Sequence, residues 1–594
     1  MTDSGRRFAR WQADAILEIL KTPGVEPVLL IQNAQPMSSS PLDRIKRIQW
    51  GLLLGQIYVN LFCEPRATTE MVDLTPELAD VEILRCEPEI RGKYSAYFRE
   101  RDLERIRELR PDFLLRFGFN IMRGDILRIP RYGVWSYHHD DEQMYRGSSV
   151  GLWEIYNGDP VTAVVLQRLT DRLDGGVILK KGYFPTTSRS LAKTREAIYT
   201  GSTMWPAQVC RDILCGQASY LDDPPSSTHA PIYRRPTNLQ TLTLLVKLAL
   251  NQARHCWERL FVQTTWGVGI WDQPIDHVLS PGKPDQFRFF PELSTSYSFC
   301  ADPFGIVRDA TLKVLCEKFP HGRSSRGGIS TFGLEKDRKR THARPAFDVG
   351  AHMSYPFLLE WNDEVYCIPE ISELNRISLF KATRFPEEWV EQSVLVDGFP
   401  GVDSSVVFFQ GRWWLFTSHG KNAESWQLHL YHAERLEGPW SPHPINPVKT
   451  DVRSSRSAGT PFIKEGTLFR PAQDCSRGYG RQVVVNRVKT ITPTDFEEVT
   501  EAVVGPDRRS AFPHGIHHLA AVGALTLVDG RRDVFDLLKQ PRKCFRRAVA
   551  LLGRTHSVDE MLEDGVSVPK VRTVRVEGAA QAEYASPIRL PHIR

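Results

Sequence analysis

Two adjacent histidines, His138 and His139, stand where a strand-like stretch, GVWSY (133–137), gives out. A second β-rich run, TAVVLQRLT (162–170), is followed by Asp174 at the start of a Gly-Gly turn. A histidine with a carboxylate that can orient it is the minimal apparatus for moving a proton. The same residues also read as a surface histidine pair beside a turn carboxylate. His139 with Asp140 or Asp141 is open in the same way, as a second acid/base pair or as a solvated polar loop.

The elements that would position these groups alternate between helix and strand. Phe8–Leu20 is amphipathic, Val25–Gln32 is a short apolar run, and Ile45–Val59 has helical spacing. Val81–Leu84, the helical Tyr97–Leu109 and the buried run Pro111–Phe119 continue the alternation to about Leu214. That pattern predicts parallel βαβ units with helices on both faces, a doubly wound α/β domain. In such a sheet ligands collect at the carboxyl ends of strands, where His138 falls. The chain opens on the helix that would follow a first strand, so the sequence predicts either that this strand is missing or that the start lies upstream.

The segment PDFLLRFGFNIMRGDILRIPRYGVWSYHHDDEQMYRG resembles the core of the formyltransferase family, with Gly133, His138, Tyr145-Arg146-Gly147 and Leu173-Asp174-x-Gly176 in register. The resemblance spans about 8–214 and implies a Rossmann-type formyltransferase-like domain. His138 and Asp174 would be its catalytic pair, His139, Tyr145 and Arg146 would contact substrate, and 10-formyltetrahydrofolate would be the donor. Two positions depart from the family: Ser136 stands where it has an asparagine, and His139 where it has a proline. Removing one oxyanion donor costs roughly two to three orders of magnitude in rate, so Ser136 is the weak point of that site. The polar Asp140-Asp141-Glu142 also replaces an apolar turn that contacts folate in the family.

Beyond Leu214 the composition shifts through DDPPSS and YRRP to a single amphipathic helix, Leu239–Leu260. From about Phe261 short aromatic-rich strands dominate. Pro303, Pro356, Ser405, Pro461 and His514 mark a weak repeat at intervals of 53, 49, 56 and 53 residues. Five strand units of about fifty residues predict an all-β five-bladed propeller. The second strands are read as EVYCIPE, RWWLFTS, QLHLYHAE, RQVVVNRV and ALTLVDG. This half resembles family-43-like glycosidases and, through SYPFLLEWNDEVYCIPE, GPWSPHPINPV and RPAQDCSRGYG, the N-terminal domain of the glucosamine inositolphosphorylceramide transferases. A propeller would gather Asp302, His352, Asp403, Arg470, Asp474 and His514 in one funnel, with Glu317 and Glu370 in reach. Paired carboxylates are what glycosidic bond chemistry needs, and Asp302 on its Ala-Asp-Pro turn is the catalytic candidate. Arg470 and Tyr479 would suit a phosphate or sugar hydroxyls.

Composition narrows the class. At 594 residues, 41% hydrophobic and 25% charged, the chain predicts a globular protein with two large domains. A net charge of +5 gives no case for nucleic acid. The ten cysteines form no CxxC pair, so no metal site is expected and reduced thiols in the cytoplasm are. No apolar run is long enough for a signal peptide or membrane span. The predicted organisation is an α/β domain at 1–220, a linker with connecting helix at 221–260, a propeller at 261–535 and a basic tail at 536–594, helical over Lys543–Leu552 and then mostly disordered.

The leading expectation is transfer of a formyl or related acyl group to an amine on an amino sugar, nucleotide-sugar or glycan held by the propeller. The alternative makes the propeller the active centre, a glycosidase or a glycosyltransferase-associated site, and the first domain a degenerate binding module.

Overall fold

The computed structural model describes residues 1–3, 5–35, 49–92, 94–147, 149–172, 175–280, 287–295, 298–320, 326–334, 343–420 and 425–541. The expected tail and Asp174 lie outside the described residues.

The N-terminal half is built on β1 (Leu29–Asn33), β2 (Glu82–Cys86), β3 (Leu114–Arg116), β4 (Val134–His138), β5 (Val161–Arg168) and β6 (Val177–Pro185). β1 pairs with β2 and β3 with β4 in parallel, as the alternation predicts. β5 and β6 are added antiparallel, so the sheet is mixed rather than wholly parallel. Met1–Asp3 run between β3 and β1, with Thr2 in a parallel bridge to Gln32. Met1 N donates to Leu115 O and Phe117 N to Met1 O, while Thr2 N donates to Ile31 O and Asn33 N to Thr2 O. These three residues therefore join β3 to β1.

Alternate residues of β4 face opposite cores. Val134 packs with Leu103 and Ile106 of α1 (Glu100–Leu109). Trp135 packs on the other face with Trp205, Ala207 and Val209 of α2 (Trp205–Leu214). Helices thus cover both faces, which the period-2 alternation of a buried strand requires.

A 24-residue helix, α3 (Asn238–Phe261), leads out of this domain. Thr237 caps it reciprocally with Gln240, a Thr-x-x-Gln capping box.

Five antiparallel sheets of four main strands follow in chain order. The first blade runs over Ser298–Phe347, the second over Ser354–Asp397, the third over Gly401–Pro442 and the fourth over Phe462–Val504. The fifth is closed by strands from the two ends of the half: Val262–Trp271 lies beside Leu525–Phe535, which pairs in turn with Leu519–Val522. This closure removes the exposed sheet edges an open array would leave. The five-blade expectation stands. Two second strands need correction, because Gln427–Ala433 and Gln482–Ile491 are the third strands of their blades; the second strands are Arg412–His419 and Thr467–Asp474.

The repeat has a physical basis. In each of the first three blades the innermost strand carries a bulge, between Ala301 and Phe304, Ser354 and Phe357, and Val402 and Ser405. The residue inside each bulge, Asp302, Tyr355 or Asp403, has positive φ (49°, 41° and 48°). A bulge re-aims a side chain, and here it does so at the same place in successive blades. The fourth blade has Gly459 at this point, with φ 119°, and an added Cβ would lie 1.8 Å from Leu519 O. Only glycine permits that approach to the fifth blade.

The two halves are in contact. Val452 N donates to Tyr183 O on β6, and the Arg453 guanidinium lies 3.7 Å from the Tyr183 ring centroid while paired to Asp451. Gln208 Nε2 donates to the carbonyls of Ile445 and Pro447.

Candidate active site

At the funnel of the propeller, Asp302, Glu317, Glu370 and Asp403 line one cavity of about 230 Å³ with Phe299, Phe319, His352, Ser354, Arg456 and Tyr479. Asp302 and Asp403 arrive on the bulges of the first and third blades. Glu317 and Glu370 end or nearly end the second strands of the first and second blades, as expected. All four carboxylates are buried.

Their partners set them apart. Arg456 Nε donates to Asp403 Oδ2 at 2.6 Å, and Gln473 Nε2 donates to the same oxygen at 2.8 Å. Asp403 is thus held as one half of a buried ion pair. Glu370 Oε2 accepts from Asp403 N at 3.3 Å and Oε1 from Ser372 Oγ at 3.2 Å, and Arg456 acts on it across Asp403. Burial, with the Asp403 charge added, pushes the Glu370 carboxyl up to about 8. Burial likewise raises Asp302 to about 7, against the pull of His517. Glu317 is raised well above the carboxylate range by burial and then by Asp302 and Glu370. Four acids cannot share so small a space fully charged, so protons are retained on some of them at neutral pH.

Two histidines tune the rim and floor. Gly327 N donates to His352 Nδ1 at 3.0 Å, which leaves the proton on Nε2, 4.0 Å from Glu317 Oε1. Burial lowers the His352 pKa. Beneath Asp302, His517 Nδ1 lies 2.5 Å from Asp529 and its Nε2 3.8 Å from Asp302 Oδ1. Burial would lower His517, but Asp529 and then Asp302 outweigh it and raise it. The ring stacks on Trp266 at 3.9 Å. Among the described residues Asp302, His517 and Asp529 are the group whose ligand atoms come within 4.8 Å of one another, as a metal would need. With His517 holding its proton the trio is an ion-pair network. Aromatic walls, Phe299 against Phe319 at 5.5 Å and Tyr479 over Arg456 at 5.0 Å, give the cavity faces on which a sugar ring can stack.

Of the residues expected in the funnel, Asp302, Glu317, His352, Glu370 and Asp403 meet there, and Arg470, Asp474 and His514 do not. Arg470 is fully buried inside the fourth blade, where both Nε and Nη2 donate to Glu498 and the other bonds go to the carbonyls of Ser454 and Ser455. Asp474 accepts from Ser476 N and Gln482 Nε2 as a turn acceptor. His514 Nδ1 accepts from Asp533 N. Arg456, His517 and Asp529 were missed. Arg456 sits in the irregular DVRSSRS stretch, and Asp529 reaches Asp302 only through closure of the fifth blade.

In the α/β domain His138 ends β4 half-buried, its Nε2 3.3 Å from Tyr145 O. Ser136 lies buried on the same side of the strand, but its hydroxyl accepts from Arg116 Nη1 at 2.9 Å and donates to Tyr137 O. His139 turns into an aromatic cluster with Trp11, Tyr137 and Tyr199, where burial lowers its pKa to about 3. It therefore has no carboxylate partner in Asp140, which accepts from Gly151 N, or in Asp141, which pairs with Lys181. Tyr145 donates to Asp159, and Arg146 Nη1 to Ala230 O. Asp141 and Glu142 both pair with Lys181, Asp140 accepts from Gly151 N, and the Ser136 hydroxyl is already engaged by Arg116.

Residues 290–514 match the family described as glucosamine inositolphosphorylceramide transferase 1, N-terminal. The match covers the first four blades and the approach to the fifth. Glucosamine inositolphosphorylceramide transferase 1 of Oryza sativa subsp. japonica is 35% identical over 255 residues, covering 40% of this chain and 33% of the relative. The Arabidopsis thaliana protein of the same name is 32% identical over 208 residues, covering 34% of this chain and 27% of the relative. The chain thus spans about a third of the length of these relatives. A further match, 35% over 80 residues, covers 13% of this chain and 12% of the bifunctional polymyxin resistance protein ArnA of Wigglesworthia glossinidia brevipalpis. Among solved structures, Zg3597, a family 117 glycoside hydrolase of Zobellia galactanivorans, aligns with 46% of this chain and 91% of its own, at 13% identity and a TM-score of 0.31.

Proposed function

We propose that the propeller funnel is a carbohydrate-active site that binds a sugar and makes or breaks a glycosidic bond by acid–base chemistry. The observation that carries this reading is the division of labour among its carboxylates. Asp403 is held by Arg456 in a buried ion pair, while Glu370 next to it keeps a proton near neutral pH. A buried acid beside a buried base is the pair that glycosidic chemistry requires. Glu370 acts as the proton donor, and Asp302, braced by His517, as the base. Asp403 and Arg456 hold sugar hydroxyls. The likeness to the N-terminal domain of glucosamine inositolphosphorylceramide transferases supports a sugar as the ligand.

The test is a thermal-stability screen of the full chain with amino sugars, nucleotide-sugars and oligosaccharides, since a ligand that binds the folded state raises its apparent stability. At least one saccharide stabilises the wild type and fails to stabilise Asp403→Asn. Equal stabilisation of both, or of neither by any sugar, overturns the reading.

A second reading places group transfer to a sugar amine at His138. It is favoured by the position of that side chain at the carboxyl end of β4, beneath Tyr145. On this reading His138→Ala abolishes acylation of an amino sugar, whereas a change confined to Glu370→Gln refutes it.

A further inference from the structure

The two central strands of the fifth blade, Val262–Trp271 and Leu525–Phe535, carry different chemistry on their two faces. Trp266 and Arg531 are cross-strand neighbours on the face that serves the funnel. Trp266 stacks on His517, and Arg531 Nη1 donates to Tyr479 O. Thr265 and Arg532, one residue away on each strand, also pair across the strands and lie on the opposite face, because successive side chains alternate. The pairs Gln263 with Val534 and Gly267 with Gly530 extend that opposite face in both directions.

A cavity of about 310 Å³ opens on this face, and it shares no lining residue with the funnel. Small-molecule sites begin at roughly 300 Å³. Phe512 walls one end of it. A Cβ added to Gly267 would lie 2.0 Å from Phe512 Cζ, and one added to Gly530 2.7 Å from Phe512 Cβ, so the paired glycines are what let the ring settle on the strands. Thr265 Oγ1 is buried there with no hydrogen-bond partner among the described residues, a state that favours any ligand able to supply one. Arg532 is exposed beside it and has no carboxylate mate among the described residues, since Asp533 is taken by Arg531. Gln263 and Asp536 complete the polar wall.

These groups choose among ligands. One guanidinium and one carboxylate leave the lining without net charge, which gives a phosphate or a polyanion little to gain. Guanidinium, amide, hydroxyl and carboxylate together offer donors and acceptors to the hydroxyls of a sugar, and Phe512 offers an aromatic surface to its ring. We propose that this cavity is a second saccharide site, which holds one neutral sugar unit on Arg532, Thr265 and Gln263 against Phe512. The inference rests on the carbohydrate reading of the propeller but uses none of the funnel's residues.

The test is an array of immobilised mono- to hexasaccharides of glucose, galactose, mannose, xylose and glucosamine, probed with the fluorescently labelled full chain. The Asp403→Asn chain, its funnel disabled, is expected to keep binding at least one glycan, and adding Thr265→Val with Arg532→Ala lowers that signal at least tenfold. An unchanged melting temperature shows that the fold is kept. Arg532 lies at the surface, so Arg532→Ala alone decides the matter should the combined variant fail to fold. Loss of all binding in Asp403→Asn overturns the second site and leaves the funnel standing. Residual binding indifferent to the Thr265 and Arg532 changes overturns it as well. Binding that is undiminished by Asp403→Asn but falls with those two changes upholds the second site and overturns the funnel. No binding of any glycan by the wild type overturns both.

Discussion

Arg456 and Asp403 face each other across 2.6 Å inside the propeller, with Arg456 delivered by an irregular loop and Asp403 by a strand bulge. Both are buried, so neither can lose its partner to water. Removing one member of a buried ion pair typically costs about 3–5 kcal/mol, because the other is left uncompensated. Arg456→Met is expected to destabilise by about that much in urea unfolding. Asp403→Asn in the same chain should restore part of the loss, and a double-mutant cycle measures the coupling.

The raised carboxyls give a pH signature. Glu370 and Asp302 stay protonated in the fold up to about 8 and about 7, mainly through burial, whereas an unfolded chain releases those protons near pH 4. Between pH 4 and pH 8 the folded state therefore binds more protons than the unfolded state, and stability falls as pH rises through that window. The fall is expected to be shallower in Glu370→Gln, measured as melting temperature against pH. Turnover that depends on the Glu370 proton should decline as pH passes about 8, the carboxyl's own value.

Arg470 should matter for stability and not for ligand binding. Burial opposes the Glu498 charge, yet Arg470 and Lys449 outweigh it and hold that carboxyl below its usual range. Arg470→Met leaves Glu498 with Lys449 as its remaining cation and is expected to cost about 3 kcal/mol in chemical denaturation, the low end for breaking a buried pair. Sugar affinity measured by calorimetry, at a temperature where the variant is folded, should be unchanged.

The contact between the halves is close-packed at Gly182. A Cβ there would lie 2.8 Å from the Trp205 ring and 3.1 Å from Thr450. Gly182→Leu should wedge the α/β domain from the third blade. Calorimetry is expected to resolve two unfolding transitions in this variant, with the propeller transition at lower temperature than in the wild type.

The blade repeat was legible because it reflects a local necessity: a bulge with positive φ recurs at Asp302, Tyr355 and Asp403 and leaves a Pro or Ser beside it. The carboxylates of the funnel follow from that register. Arg470 misled because a charge in mid-strand looks like a ligand group when its mate, Glu498, lies two strands away. Arg456, His517 and Asp529 left no local signal, since their positions depend on loop path and sheet closure. In the first half the helix–strand alternation was readable. The antiparallel direction of β5 was not, because a buried apolar strand has the same pattern in either direction. Ser136 was read as a weakened donor, but its engagement by Arg116 twenty residues earlier needs the sheet to be seen.

The most direct test of the carbohydrate site is a crystal structure of the full chain with whichever saccharide stabilises it most. The account predicts one sugar ring against Phe299 and Phe319, with hydroxyls on Asp403 and Arg456 and an oxygen within hydrogen-bond reach of Glu370. A saccharide bound at His138, with the propeller funnel left empty, would contradict it.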